Sequence, residues 1–229
     1  MSLEGRRTAH ISDPGAELLD RAQSIWERYG RMVAAVVGMV VVVGVLGFFL
    51  MRSRAASEQQ AAGKLAEANV LFWQGQYDRS LESAKKVAQQ YGSTPSGNDA
   101  HRLAGDDAYW NGMQRGNPAD FKNAVTEYQA YLAHAGRGPL ADAARRSLAY
   151  ALESDKQYEA AAKNYDQLVG AFDRESSAEF LIAAARSYQA LGRRDEALKR
   201  LQRVIDEFGD TSYALPARVR IAQIQNTKP

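Results

Sequence analysis

Cysteine is absent from the 229 residues, which excludes a disulfide scaffold and any thiolate metal site. Histidine is scarce: only His10, His101 and His134 occur, and no two stand at ligand spacing. An excess of one charge is missing too, since 29 basic and 27 acidic residues leave a formal +2. Residues 1–31 hold five basic and five acidic groups, and the remainder 24 and 22, so neither part carries the positive field of a nucleic-acid binder. No glycine-rich phosphate loop, nucleophile elbow or zinc motif is present. His101 with Asp106 and Asp107 comes nearest to a constellation. Offsets of five and six place these residues on different helix faces, as expected of surface or capping groups. The reading is of a chain that is not an enzyme and takes no metal, cofactor or small-molecule substrate.

What the chain has instead is one long apolar run. Met32 to Met51 is twenty residues without a charge, about 30 Å as a helix, which matches the hydrocarbon thickness of a bilayer. Its eight valines, two leucines and two phenylalanines favour insertion by about 4 to 7 kcal/mol in total. Thirty-one residues precede the run, and twenty exceeds a signal-peptide core, so a signal-anchor is expected rather than a cleaved leader. Five basic residues before the span and Arg52, Arg54 and Lys64 after it bias the amino end weakly toward the cytoplasm. Before the span, Asp13-Pro14 predicts a helix start. Leu18, Leu19, Ala22, Ile25, Trp26 and Tyr29 follow as an apolar stripe. That stripe fits a helix lying along the inner interface, with Trp26 and Tyr29 at headgroup level and Arg28 and Arg31 toward phosphates. Ala34 and Gly38 form a small-xxx-small pair suited to close helix packing in lipid. The expected organisation is a cytoplasmic tail over 1–31, a transmembrane helix over 32–51 and a helical domain over 52–229.

That third part repeats. Tyr77-Ser80-Ala84, Phe121-Ala124-Tyr128, Tyr158-Ala161-Tyr165 and Arg194-Ala197-Leu201 place a small residue three after and four before its flanks. The small anchors are 44, 37 and 36 residues apart, a period that means stacked units. Twelve residues before three of the anchors, Ala68-Leu71, Ala149-Leu152 and Ala185-Tyr188 mark a partner helix. Tight breaks join the two helices of each unit at Gln74-Gly75-Gln76, Ser154-Asp155-Lys156 and Leu191-Gly192-Arg193, giving antiparallel hairpins. The surplus in the first gap is assigned to a loop over Gly112-Met113-Gln114-Arg115-Gly116-Asn117-Pro118. After a break at Gly209-Asp210-Thr211-Ser212, one more helix over 214–225 is expected to cap the last apolar face. The fold class is all-α: one amino-terminal transmembrane helix, then a solenoid of about four hairpins plus a capping helix.

Gly75-x-Tyr77-x-x-Ser80 and Gly192-x-Arg194-x-x-Ala197 resemble the turn and second-helix start of tetratricopeptide (TPR) motifs, as does the Ala-x-x-x-aromatic step at Ala124 and Ala161. The consensus tryptophan of the first helix and the terminal proline are mostly missing. The layout, and the stretch from Ile25 to about Asn69, resemble the YfgM-type ancillary translocon family. The joints Tyr91-Gly92-Ser93-Thr94-Pro95 and Phe208 to Tyr213 are similar to those of envelope-assembly TPR proteins. Carrying over the groove-facing positions of TPR first helices gives Asn69, Trp73, Arg146, Tyr150, Arg186 and Gln189 as candidate partner contacts. Two arginines beside a tyrosine suit an acidic or extended peptide. The carboxylate-clamp pattern is not reproduced, since its lysines and second asparagine are lacking. Trp73 and Trp110 stand next to turn breaks, where core or groove packing is expected.

These resemblances imply a scaffold or adaptor tethered to a bacterial inner membrane, its amino terminus cytoplasmic and its repeats periplasmic. Its partners would be other proteins, either an integral membrane complex or envelope proteins, together with the lipid bilayer and no nucleic acid. The alternative is a permanent accessory subunit of a large membrane complex, a translocon or a respiratory or photosynthetic assembly, held by span and repeats.

Overall fold

The computed structural model describes residues 14–226, which form nine helices. They are α1 (Pro14–Trp73), α2 (Tyr77–Tyr91), α3 (Pro95–Arg115), α4 (Pro118–His134), α5 (Pro139–Ser154), α6 (Tyr158–Leu168), α7 (Arg174–Ala190), α8 (Arg194–Glu207) and α9 (Ala214–Asn226). The chain divides into two compact units, Met1–Ala55 and Ala56–Pro229. Asp13, expected at the first helix start, lies outside the described residues, as do Arg6, Arg7 and His10.

In the first unit, α1 carries a stretch long and apolar enough to cross a membrane, with a mean hydropathy of 2.8. Its large side chains stand exposed along the run, Phe49 and Met51 among them. So much contiguous apolar surface suits lipid rather than water. Trp26 and Tyr29 are exposed below it, and the Arg28 guanidinium lies 5.9 Å from the Tyr29 ring centroid. The Trp26 ring folds over Gly30, where a Cβ would meet it at 3.3 Å. Arg31, Ala34 and Gly38 are exposed, and a Cβ at Gly38 would meet nothing within 4 Å.

The second unit is an α-solenoid of four hairpins and a closing helix: the end of α1 with α2, α3 with α4, α5 with α6, α7 with α8, then α9. From α2 onward each helix packs on the next. The four small anchors Ser80, Ala124, Ala161 and Ala197 are fully buried, as the repeat phase requires. Opposite them Ala68, Ala149 and Ala185 are buried as well. Because both faces are small, the helix backbones approach closely, and Tyr128, Tyr165 and Leu201 fill the space beside them with no more than 1% exposure. Ser80 adds a hydrogen bond, its Oγ donating to the Ala68 carbonyl at 2.9 Å. Arg194, the odd member of the fourth triplet, donates from Nη2 to the Ile224 carbonyl and so ties α9 to the last hairpin.

One expected loop is helix. Gly112 to Arg115 continue α3, and only Gly116 and Asn117 separate it from α4. Gly112 is the missing small partner of the second hairpin, twelve residues before Ala124, where a Cβ would strike the Phe121 ring at 2.7 Å. The surplus of the first gap lies in the helices themselves: α2 has 15 residues against 11 in α6, and α3 has 21 against 17 in α7. Side-chain caps start three helices: Thr94 accepts from Gly97 N, Asn117 from Ala119 N, and Asp173 from Ser176 N. First helices end on left-handed residues, Gly75, Gly116 and Gly192, but in the third hairpin Lys156 takes that conformation at φ 62°.

Candidate functional site

The first helices present their polar positions side by side, and neighbouring repeats exchange hydrogen bonds across them. Tyr150 of α5 donates from Oη to Glu179 of α7 at 3.1 Å. Burial, and then the Glu179 charge, push the Tyr150 phenol up to about 12. Arg186 of α7 reaches back to Glu153 of α5 with two donors, Nη2 at 2.7 Å. That hydrogen bond raises the guanidinium still further above its ordinary range. Glu153 also accepts from the buried Tyr165 hydroxyl at 2.8 Å, so three donors converge on its carboxylate. These links sew α5 to α7.

Between α7 and α9 the inner face opens. A cleft of about 510 Å³ has Leu201 of α8 among its lining, Ile182, Ala185, Arg186 and Gln189 on one wall, and Leu215, Pro216, Val219, Arg220 and Gln223 on the other. Leu215 is 69% exposed and Val219 50%, an accessible apolar strip at i, i+4 spacing. A link across the cleft runs from a cation to a neutral acceptor, Arg220 Nε donating to Gln189 Oε1 at 3.0 Å. No carboxylate lines the cleft among the described residues.

Of the six expected groove residues, Arg186 and Gln189 line this cleft and Tyr150 stands on the adjoining seam. Arg146 lies over the Phe172 ring at 5.3 Å to the centroid. Asn69 and Trp73 belong to the first hairpin and do not join the cleft. The Asn69 amide donates to the Leu65 carbonyl of its own helix, and Trp73 ends α1 82% exposed, its ring edge-on to Phe72. Trp110 stacks on Tyr77 at 6.2 Å. The α9 residues were not anticipated, although Leu215 and Val219 at helical spacing were the available signal.

Of the three residues expected in surface or capping roles, His101 and Asp106 are part-exposed, and only Asp107 departs from the expectation. His101 Nδ1 contacts Glu127 Oε2 at 2.8 Å, beside Lys85, which pairs with Glu127 at 3.2 Å. Asp106 accepts from the buried Tyr128 hydroxyl at 2.7 Å and from Arg102 at 3.0 Å. Asp107 is fully buried. These are packing groups of the second hairpin. Among the described residues no cluster of three or more His, Asp or Glu could hold a metal ion.

A stack of helical hairpins with an accessible inner cleft defines the class: an all-α helical-repeat solenoid. Tetratricopeptide-repeat family models match residues 119–176 and 180–211, the second framing the α7–α8 hairpin. Those residues are thus similar to tetratricopeptide repeats, and TPR domains generally mediate protein–protein interactions. Among solved structures it is similar to a Podosopora anserina kinesin-light-chain-type protein with nearly identical TPR-like repeats. The two are 20% identical with a TM-score of 0.55, over 73% of this chain and 86% of the other. A singly substituted form of that protein matches at the same identity and TM-score, over 85% of its length. At that identity the likeness concerns the fold. No curated protein sequence matches the chain.

Proposed function

We propose that this chain is a non-enzymatic scaffold, tethered to a bacterial inner membrane by the single span over 32–51, that binds partner proteins through its repeat domain. The carrying observation is the coupling, in one chain, of an exposed apolar helix segment of membrane length to a TPR solenoid with an open inner cleft. The amino terminus is cytoplasmic and the repeats periplasmic in this reading. Trp26, Arg28, Tyr29 and Arg31 then meet the inner headgroups, and Asn69, Trp73, Arg146, Tyr150, Arg186 and Gln189 offer contacts to partners. Two measurements test it. Protease added to intact spheroplasts should digest the repeat domain, and a protected domain would reverse the orientation. Crosslinking in native membranes, read by mass spectrometry, should recover envelope or integral membrane proteins on residues 56–226; recovery of none would remove the adaptor role.

A second reading, a permanent subunit of a large membrane complex, is favoured by one feature of the first unit. Ala34 and Gly38 stand exposed four apart on one helix face, and a Cβ at Gly38 would meet nothing within 4 Å, which leaves a small-residue surface for a neighbouring span. Stoichiometric co-migration with one complex on native gels, surviving mild detergent, would select it over the adaptor.

A further inference from the structure

We propose that the α7–α9 cleft takes a peptide segment of a partner protein carrying a large apolar side chain close to an Asp or Glu side chain. This rests on the interaction-scaffold reading and names what its cleft selects.

The argument starts from composition. Ile182, Ala185, Leu201, Leu215, Pro216 and Val219 make the apolar part of the lining, and the polar remainder is two guanidiniums and two carboxamides. A volume of about 510 Å³ falls within the range of sites that enclose a ligand or a few side chains. Exposed Leu215 and Val219 give an apolar occupant its contact area. Charge then decides what accompanies it. Arg186 is answered by Glu153, whereas Arg220 has a neutral partner, Gln189. The cleft therefore holds a cation without a carboxylate, at the edge of an apolar strip. A carboxylate brought by the peptide would gain a charge-assisted hydrogen bond from that guanidinium, while an arriving lysine would meet repulsion. The lining runs along α7 and α9 for about two turns, from Ile182 to Gln189 and from Leu215 to Gln223, a surface suited to a passing segment. The acid is accordingly an internal side chain.

The α9 surface is also not the one that holds the stack together. Ala214, Ala217 and Ile224 are its buried residues, on another face, so Val219 and Arg220 are available for substitution without opening the core.

The test is peptide display. A random library of internally displayed twelve-residue peptides is selected on the full chain in nanodiscs, and on Val219→Asp and Arg220→Glu forms whose far-UV circular dichroism and melting match the parent. Enriched peptides should pair Leu, Ile, Met or Phe with Asp or Glu within four positions. Val219→Asp should weaken them at least tenfold, and Arg220→Glu should switch the selected charge from acidic to basic. Peptides that bind all three forms equally, peptides without a charge preference, or a library that yields nothing would overturn the assignment. So would self-association of the chain that Val219→Asp abolishes, which gives the cleft to a second copy. None of these outcomes touches the adaptor reading, which stands or falls on crosslinking in native membranes.

Discussion

Asp107 offers the sharpest test of the packing described for the first two hairpins. It lies on α3 with no exposed surface, and neither carboxyl oxygen has a hydrogen-bond partner in the structure. The Ser80 hydroxyl is near enough to ease a charge there, but its proton goes to the Ala68 carbonyl. Burial pushes the Asp107 carboxyl up to about 7, with the Asp106 charge adding to the rise. An aspartate ordinarily near 3.8 that titrates at about 7 in the fold resists ionisation by roughly 4 kcal/mol. The sign follows from proton binding. Between those two values the folded chain holds a proton that the unfolded chain has lost, so stability falls as pH rises through the window and levels off above it. About 3 kcal/mol of the fall lies between pH 5 and pH 8.

Asp107→Asn keeps the shape and removes the titration. Urea unfolding of the full chain in detergent, followed by far-UV circular dichroism and Trp fluorescence, should place the variant's advantage at pH 8 about 3 kcal/mol above its value at pH 5. Asp106, which burial also raises, titrates in both proteins, so that only its coupling to the Asp107 charge remains in the difference. A stability difference that stays constant within about 0.5 kcal/mol from pH 5 to pH 8 would refute the reasoning, because it would mean that Asp107 ionises freely. A variant less stable than the parent at pH 8 would refute it as well. Repeat arrays unfold by neighbouring units, so the effect belongs to the transition that melts the first two hairpins.

Three further substitutions probe the repeat geometry. Ala161→Asp puts a carboxylate into the fully buried anchor position of the third hairpin, and should cost several kcal/mol. An unchanged melting temperature would mean that the helical phase is wrong. Gly112→Ala directs a Cβ at the Phe121 ring, and should destabilise by about 1 to 3 kcal/mol despite alanine's better helix propensity; a gain in urea midpoint would show that the contact yields freely. Lys156→Gly relieves the left-handed backbone at φ 62° and should stabilise by about 1 kcal/mol, read as a rise in melting temperature. A fall would indicate that the lysine side chain makes an offsetting contact.

The hairpins were legible because their signal is a local one repeated. Ala161 and Ala197 are small for the same reason in each unit, and period and phase together exposed them before any neighbour was known. Gly112 failed the same reading because glycine has two meanings. Beside Gly116-Asn117-Pro118 it looks like a helix breaker, yet it is glycine because Phe121 of the next helix presses on it. Only a tertiary neighbour distinguishes the two. Asp107 was misplaced for a related reason: acids are mostly exposed, and nothing in its immediate sequence announces burial. The long apolar stretch of α1 was legible from composition alone, since its twenty residues carry no charge. Leu215 and Val219 went unremarked because a final helix was expected to act as a cap.

That last element explains why the cleft lies where it does. Between the third and fourth hairpins, the acids of the first helices are consumed by nearby cations or hydroxyls, as Glu153 and Glu179 are by Arg186, Tyr165 and Tyr150. Such pairs are half-exposed and add little stability individually, but they close the inner face by occupying both sides of the seam. The cleft-facing positions of α9 carry no acid: Leu215, Val219, Arg220 and Gln223 stand there instead. Glu175 and Glu179 of α7 still hold Ser212 and Tyr213 just before α9, but along α9 itself no acid answers, and the apolar strip stays open. Closure of one seam and openness of the next arise from the same stack, through a change of side chains rather than of backbone. In the proposed reading, specificity arises where the repeats cease to match, at the α7–α9 seam.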